Sequence, residues 1–225
     1  MLSTHEYGGY QSGGYRYDFP HPAVATDLAI FSLESERLIL LLIERGEDPF
    51  RGQWALPGGF LKPDEDLDRC ARRELLEETH LDVAFLKQFG IFSSPNRDPR
   101  QRVISVAYLA LVPADRQLPV AGSDASGVRW CPIDALPELA FDHARIVETA
   151  IGALRAEVEG IDILLNLMPE EFTLSRLQGV YEAICGQTTD KRNFRARVLA
   201  SGRIRATDRM ERGPYRPAQL YERQD

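Results

Sequence analysis

The sequence has few of the features that mark secreted, membrane-spanning or zinc-binding proteins. Its three cysteines, Cys70, Cys131 and Cys185, form no CxxC pair, so neither a disulfide framework nor a structural zinc site is expected. No run approaches the roughly 18–20 apolar residues of a transmembrane helix. The first residues, 1–17, lack the apolar stretch of a signal peptide. We therefore expect a protein of the reducing cytoplasm without membrane contacts.

The composition indicates a globular protein with room for two units. The 225 residues are 44% hydrophobic and 27% charged, with a net charge of -7, which argues against extensive disorder. The charge is distributed unevenly. Residues 1–160 have 16 basic and 25 acidic side chains, whereas residues 161–225 have 11 basic and 9 acidic ones. An acidic first part and a basic second part predict different partners for the two parts.

Hydrophobic patterns predict an α+β first part. The Gly- and Tyr-rich residues 1–21 are expected to form a flexible arm. Strands are predicted at 23–33, 37–43, 83–93, 103–112 and 128–131, and helices at 64–79 and 142–158. The first two strands are close enough in sequence to form a hairpin.

The helix predicted at 64–79 has a row of carboxylates on one face. Glu77 and Glu78 follow Glu74 by three and four residues, and the three glutamates continue an apolar stripe. Such like charges towards the negative end of a helix dipole are unfavourable for stability alone. A divalent cation would relieve the conflict, because carboxylate oxygens are hard ligands that suit Mg²⁺ or Mn²⁺. A solvent-exposed acidic face is the simpler alternative.

Residues around the carboxylates favour the metal site. The segment from Gly59 to Leu81 resembles the signature of the Nudix hydrolase family, Gly-x5-Glu-x7-Arg-Glu-U-x-Glu-Glu-x-Gly-U, where U is bulky and aliphatic. Glu65 and Arg73 occupy the first Glu and the Arg of that pattern. His80 stands where the pattern has Gly, in a position after the helix where we expect a positive φ, which His tolerates as a minority residue.

The resemblance implies an α/β/α sandwich with a mixed sheet and cleavage of a pyrophosphate that joins a nucleoside to another group. By position it assigns catalysis to Arg73, Glu74, Glu77 and Glu78. It assigns metal binding to the three glutamates, with a further metal ligand at the Gly58 carbonyl. Arg73 can hold Glu77 as an i,i+4 pair. Gly58 and Gly59 leave room for a phosphate to approach the backbone.

A polar run after the signature is similar to the ADP-ribose branch of the Nudix family. It offers Arg97, Arg100 and Arg102 to phosphates and Asp98 to ribose hydroxyls. Taken one by one, these residues also suit an ordinary polar turn. The resemblance favours ADP-ribose or a related nucleoside diphosphate as ligand, while the base and the sugar stay open.

The basic second part has the outline of a winged helix. After a linker at 161–171, short helices are predicted at 173–184 and 190–200, with Asp190 as a helix cap, and two strands around Gly213-Pro214. The candidate DNA-binding residues are Lys191, Arg192, Asn193, Arg195, Arg197 and Arg216. A helical dimerisation appendage with a solvated charged face is the alternative.

Several sequence stretches of this part resemble those of the Nudix-related transcriptional regulators of NAD metabolism. The similar stretches include Phe172-Thr173-Leu174 and Asp190 to Arg195. That resemblance covers about residues 22–225 and implies a homodimeric repressor that senses ADP-ribose. It implies a Nudix domain at 22–160 and a winged helix-turn-helix domain at 161–225 that binds a double-stranded DNA operator.

Two hypotheses therefore remain from the sequence. The first is a DNA-binding regulator, of NAD-related genes, whose Nudix domain binds ADP-ribose and retains the catalytic glutamates. The second is a Mg²⁺-dependent ADP-ribose pyrophosphatase whose basic part serves dimerisation. An RNA pyrophosphohydrolase is less favoured, because no motif for stacking RNA bases is apparent.

Overall fold

A computed structural model describes residues 21–35, 37–81, 83, 85–113, 125–211 and 217–224. The elements of the first part are β1 (Ala23–Glu34), β2 (Arg37–Arg45), β3 (Trp54–Ala55), β4 (Gly58–Phe60), α1 (Leu67–Thr79), β5 (Phe85–Phe92), β6 (Val103–Leu111), β7 (Ala125–Pro132) and α2 (His143–Glu157). The short strands β3 and β4 are not predicted from the sequence, because two or three residues carry no periodic signal. Apart from His21, the arm predicted at 1–21 lies outside the described residues.

The described strands of the first part form a seven-stranded mixed sheet around β1. β1 pairs antiparallel with β2 and β4, and parallel with β6. β5 is antiparallel to β6, while β3 and β7 both pair with β2. The predicted hairpin of the first two strands is thus confirmed, with Glu34 opposite Arg37 at its turn.

Helices cover both faces of this sheet. Leu28 and Ile30 of β1 belong to one apolar cluster with Leu75 of α1, whereas Phe31 belongs to another with Ile146 of α2. Alternate residues of a strand point to opposite faces, which explains why β1 is apolar throughout. The predicted α/β/α sandwich is confirmed.

Capping residues set the limits of α1. The helix begins at Leu67 rather than at residue 64, because the Asp66 side chain accepts a hydrogen bond from the Arg69 backbone amide and so caps it. It ends at Thr79, and His80 follows with φ 56°. The positive φ expected for this position is confirmed.

The second part is a winged helix, as predicted. Its elements are α3 (Ile161–Leu165), β8 (Glu171–Thr173), α4 (Leu174–Cys185), α5 (Lys191–Ala200), β9 (Ile204–Glu211) and β10 (Ala218–Arg223). Asp190 caps α5 through the Asn193 amide. The linker predicted at 161–171 was wrong, since α3 lies within it and β8 begins at its last residue. β10 pairs with both β8 and β9, whereas the predicted turn at Gly213-Pro214 lies outside the described residues.

One apolar cluster joins the two parts. It runs from the sheet face through Leu154 of α2 and Leu164 of α3 to Leu177 of α4 and Val198 of α5. Apolar burial is the main favourable term in folding, so a shared cluster holds the winged helix against the sheet. None of the helices in the described ranges combines the length and apolar character needed to span a bilayer.

Candidate functional site

A cleft of about 220 Å³ lies between β1, β4, the turn after β5 and the start of α2. Its lining includes Asp27, Arg45, Gly58, Gly59, Phe60, Glu78, Arg97, Asp98, Arg100, Phe141 and His143. Five of the six residues that the sequence proposes for ligand binding are therefore brought together here. Arg102 lies outside this lining, and its Nη1 donates to the Ser94 carbonyl at 3.1 Å.

Two glycines bring β4 against β1 and α1. Gly58 pairs with Asp27 and has φ 153°, and a Cβ there would lie 2.1 Å from the Thr26 carbonyl oxygen. A Cβ on Gly59 would lie 2.2 Å from Glu74 Oε1. A larger residue at Gly58 would push β4 away from β1, and one at Gly59 would push β4 away from Glu74.

Arg73 is the hub of the carboxylate group. Its Nη1 donates to Glu74 Oε1 at 2.6 Å and to Glu77 Oε2 at 2.9 Å, and its Nη2 donates to Glu65 Oε1 at 2.6 Å. The hydrogen bond from Arg73 lowers the pKa of Glu65 to about 2. Burial instead raises the pKa of Glu74. The i,i+4 contact expected between Arg73 and Glu77 is present.

Glu78 faces the cleft rather than Arg73. Its Oε2 accepts a hydrogen bond from the Gly58 amide at 2.7 Å. Within the described part of the chain, no three His, Cys, Asp or Glu side chains converge as a preformed metal site. Three carboxylates beside the Gly58-Gly59 backbone nonetheless offer the hard oxygens that a divalent cation prefers. Binding one would require Glu74 and Glu77 to exchange their contacts with Arg73.

A buried ion network lies under the cleft, and sequence reasoning missed most of it. Arg97 donates to Asp27 Oδ2 at 2.9 Å and to Asp142 Oδ1 at 2.7 Å, and its side chain is only 5% exposed. Ser105 Oγ also donates to Asp27. The available signal was Asp27 itself, a charge within the apolar run of β1. Arg97 is thus fixed in the cleft wall by two carboxylates.

His143 completes the floor of the cleft as a neutral residue. Its Nδ1 accepts a hydrogen bond from the Leu56 amide at 2.9 Å, and its Nε2 lies 3.4 Å from Asp27 Oδ1. Burial lowers the pKa of His143. A neutral imidazole can accept from the backbone, so this residue ties the start of α2 to the strand that leads to Gly58.

Arginines and aromatic rings form the mouth of the cleft. Asp98 accepts from the Arg100 backbone amide at 2.9 Å and from its Nη2 at 2.8 Å, so it fixes the turn and is already paired. The Arg100 guanidinium lies 5.5 Å from the ring centre of Phe60 and 5.8 Å from that of Phe141. Arg45 lies 4.8 Å from Phe141. Cationic and aromatic groups together suit a ligand with phosphates and an aromatic base.

The basic residues of α5 differ in their exposure and in their contacts. Lys191, Arg192 and Asn193 are exposed at its start, while Phe194 and Val198 face the core. Arg195 Nη2 donates to Ser175 Oγ at 3.1 Å. Arg197 Nη1 donates to Glu159 Oε2 at 2.7 Å. Arg216 lies outside the described residues.

Comparisons with known proteins match both parts of the chain. Residues 21–150 match the family model of the NUDIX domain, and residues 164–222 match that of the NrtR DNA-binding winged helix domain. The chain is 39% identical over 209 residues to the ADPR responsive transcriptional repressor NtrR of Acinetobacter baylyi, covering 91% of this chain and 83% of that protein.

Two further similarities concern one structure and one enzyme. The crystal structure of Shewanella oneidensis NrtR complexed with a 27mer DNA superposes with a TM-score of 0.81 at 31% identity, covering 89% of this chain and 93% of that one. The ADP-ribose pyrophosphatase of Methanocaldococcus jannaschii is 41% identical over 128 residues, covering 57% of this chain and 72% of that protein. The chain therefore belongs to the Nudix family, in the group whose members carry an NrtR-type winged helix domain.

Proposed function

We propose that this protein is a DNA-binding transcriptional repressor of NAD-related genes that binds ADP-ribose through its Nudix domain and acts in the cytoplasm. The observation that carries the proposal is a cation-lined cleft joined by one apolar core to a helix with exposed basic residues at its start. The similarity to the Acinetobacter repressor along 91% of the chain supports it.

The ligand assignment follows from the cleft. Arg45 and Arg100 supply charge for the two phosphates of a diphosphate, and the rings of Phe60 and Phe141 supply apolar surface for a base. The backbone of Gly58 and Gly59 also lines the cleft. ADP-ribose combines these chemical groups in one molecule.

The DNA assignment follows from the winged helix. α5 is the recognition helix, and Lys191 and Arg192 at its start contact phosphates or base edges in the major groove. We place the Nudix domain at 22–160 and the DNA-binding domain at 161–225. The active form is a homodimer on a two-fold symmetric operator, which is the usual arrangement for such DNA readers.

Two binding measurements test this function. The protein is titrated with ADP-ribose by calorimetry, and with a fluorescent duplex selected by the protein from a random-sequence library. We expect saturable binding of ADP-ribose, and a DNA affinity that changes by at least about fivefold when ADP-ribose is present. No selected sequence, or a DNA affinity indifferent to ADP-ribose, would contradict the proposal.

A second function is favoured by the carboxylates of α1. Glu74, Glu77 and Glu78 are all retained beside Gly58 and Gly59, and the similar Methanocaldococcus protein is an ADP-ribose pyrophosphatase. A divalent cation, Mg²⁺ or Mn²⁺, held by these three glutamates and the Gly58 carbonyl, would neutralise the diphosphate and activate a water molecule. Of these three glutamates, Glu78 lines the cleft.

Product analysis decides whether hydrolysis occurs. The protein is incubated with ADP-ribose and Mg²⁺, and AMP and ribose 5-phosphate are measured by chromatography, with Glu77→Gln as the control variant. Turnover that the variant loses would establish an enzyme activity in addition to regulation. No turnover, together with ligand-induced thermal stabilisation, would identify the cleft as a sensor alone.

A further inference from the structure

Helix α2 connects the candidate ligand cleft with the candidate DNA-reading helix. Asp142 stands directly before α2 and binds Arg97 of the cleft wall. Glu159 stands two residues after α2 and binds Arg197 of α5 at 2.7 Å. At about 1.5 Å per helical residue, the two acidic residues are roughly 25 Å apart along the helix. Each end of α2 thus has an acidic residue paired with an arginine of one site.

The contacts at the second end fix α5 closely. Tyr181 of α4 donates its hydroxyl to Glu159 Oε1 at 3.1 Å. The Arg197 guanidinium lies 4.8 Å from the ring centre of Tyr181 and 5.5 Å from that of Phe194, so it is stacked as well as paired. Arg155 of α2 donates to the Ile184 carbonyl of α4 at 2.9 Å. The end of α2 therefore holds both helices of the helix-turn-helix.

The middle of α2 transmits displacement because it is packed. Its residues Ile146, Val147, Ala150 and Leu154 are buried in the cluster shared by both parts. Close-packed helices shift as bodies rather than deform locally. A movement at Asp142 therefore reaches Glu159.

Ligand binding supplies a cause for such a movement. Arg97 lines the cleft while Asp142 holds its guanidinium. A phosphate in the cleft offers the same guanidinium another anionic partner, which weakens its grip on Asp142. Only a contact that differs between the free and bound states can shift the equilibrium, and the inference assigns that difference to the Arg97–Asp142 pair.

We propose that Glu159 is the positioning residue through which α2 couples occupancy of the ADP-ribose cleft to the DNA-reading helix. The inference rests on the proposed function and deepens it by assigning the regulation to one contact. Glu159 orients α5 through Arg197, whose side chain is 38% exposed. Neither residue belongs to the cleft lining.

The test measures coupling in the full-length protein. DNA affinity is measured with and without saturating ADP-ribose, on the duplex selected by the wild type, and the ratio of the two values is the coupling factor. Glu159→Gln keeps the size of the side chain and an acceptor for Tyr181 but removes the charge that holds Arg197. We expect a factor of about five or more in the wild type and less than twofold in the variant, with ADP-ribose affinity unchanged.

Asp134→Asn is the matched control. Asp134 pairs with Arg37 at 2.7 Å, and the side chains of Asp134 and Glu159 are 66% and 68% exposed. This control removes an ion pair away from α2 whose acid is about as exposed as Glu159, and it should keep the wild-type factor. Tyr181→Phe keeps the ring under Arg197, loses the hydroxyl that donates to Glu159, and should lower the factor in the same direction.

The outcomes separate the inference from the function on which it rests. If a folded Glu159→Gln protein has the coupling factor of the wild type, or if Asp134→Asn lowers the coupling factor equally, the role of Glu159 is overturned. The proposed function is unaffected by either result. A wild type whose DNA affinity ignores ADP-ribose overturns both. If melting curves show that Glu159→Gln is unfolded, Tyr181→Phe decides: a wild-type factor there also overturns the inference.

Discussion

Arg97 and Asp27 form a buried ion pair, with 2.9 Å between Arg97 Nη2 and Asp27 Oδ2 and side chains that are 5% and 10% exposed. The pair joins the turn after β5 to the central strand of the sheet. Because Asp142 holds the same guanidinium from the other side, the position of Arg97 is determined before any ligand arrives. The cleft wall therefore contains a preorganised cation.

Removing this cation should lower both stability and ligand affinity. In Arg97→Met, the buried Asp27 and the half-buried Asp142 lose their partner, which we expect to cost about 3 kcal/mol of unfolding free energy. ADP-ribose affinity should fall at least tenfold. Urea unfolding and calorimetry measure the two effects.

Arg102→Met is the informative comparison for that change. Sequence reasoning gives both arginines the same role, whereas the structure places only Arg97 in the cleft lining. We expect Arg102→Met to change the unfolding free energy by less than about 0.5 kcal/mol. Equal losses of unfolding free energy in the two variants would show that the burial of Arg97 does not determine its contribution to stability.

Arg73 should limit metal binding in the free protein. In Arg73→Met, the partly buried Glu65 and Glu74 repel each other without a cation between them, so the melting temperature should fall in the presence of EDTA. Mg²⁺ or Mn²⁺ should then raise the melting temperature more in the variant than in the wild type, because the carboxylates are released. Thermal melting with and without metal checks both points.

Arg69→Met provides the control on the same helix. Arg69 contacts Asp66 at 3.9 Å, and both side chains are well exposed, so its loss should leave the response to metal unchanged. If the metal raises the melting temperature equally in all three proteins, Arg73 does not compete with a cation for the carboxylates.

His143 should make stability depend on pH below neutrality. Burial lowers its pKa in the folded state, whereas in the unfolded chain the pKa is about 6.5. Below about pH 6.5 the unfolded chain binds a proton that the folded protein does not, so the unfolding free energy falls as the pH decreases. Above that pH this contribution is constant.

Urea unfolding of the wild type and His143→Gln between pH 5.5 and pH 7.5 tests this dependence. Gln is uncharged at every pH and retains an acceptor for the Leu56 amide. We expect a flatter profile for the variant over this window. Parallel profiles would assign the pH dependence to other groups.

Exposed basic residues at the start of α5 should contribute to DNA binding through counterion release. We expect Arg192→Ala to weaken binding and to reduce the slope of log K against log salt by about one unit. Fluorescence anisotropy on the selected duplex at several salt concentrations measures both quantities. Arg37→Ala removes an exposed arginine of the first part as the control, and an identical effect of the two changes would argue against a specific role for α5.

The elements with strong periodic patterns were predictable from sequence, and those defined by long-range pairing were not. The hairpin of β1 and β2 and the cap Asp190 have local signals, namely two apolar runs joined by a short polar turn and a capping side chain before a helix. The strand β8 has none, because its three residues become a strand only by pairing with β10, far along the chain.

The candidate site divides in the same way. Glu74, Glu77 and Glu78 could be recognised by spacing within one helix. Asp27 and His143 could not, since they meet Arg97 only when β1, the turn after β5 and α2 are packed together. The charge of Asp27 within an apolar strand marks that residue, but a partner that lies 70 residues away in sequence, as Arg97 does, cannot be identified from either segment.

The central strand of the wing sheet, β10, is the last of its three strands to be synthesised. A nascent chain that has passed Glu211 already contains both flanking strands, but these do not pair with each other in the sheet order. The strand that joins them is translated after both, and domains fold as their segments emerge from the ribosome. A chain interrupted before Ala218 therefore contains every described residue of the ligand cleft but lacks the central strand of the wing.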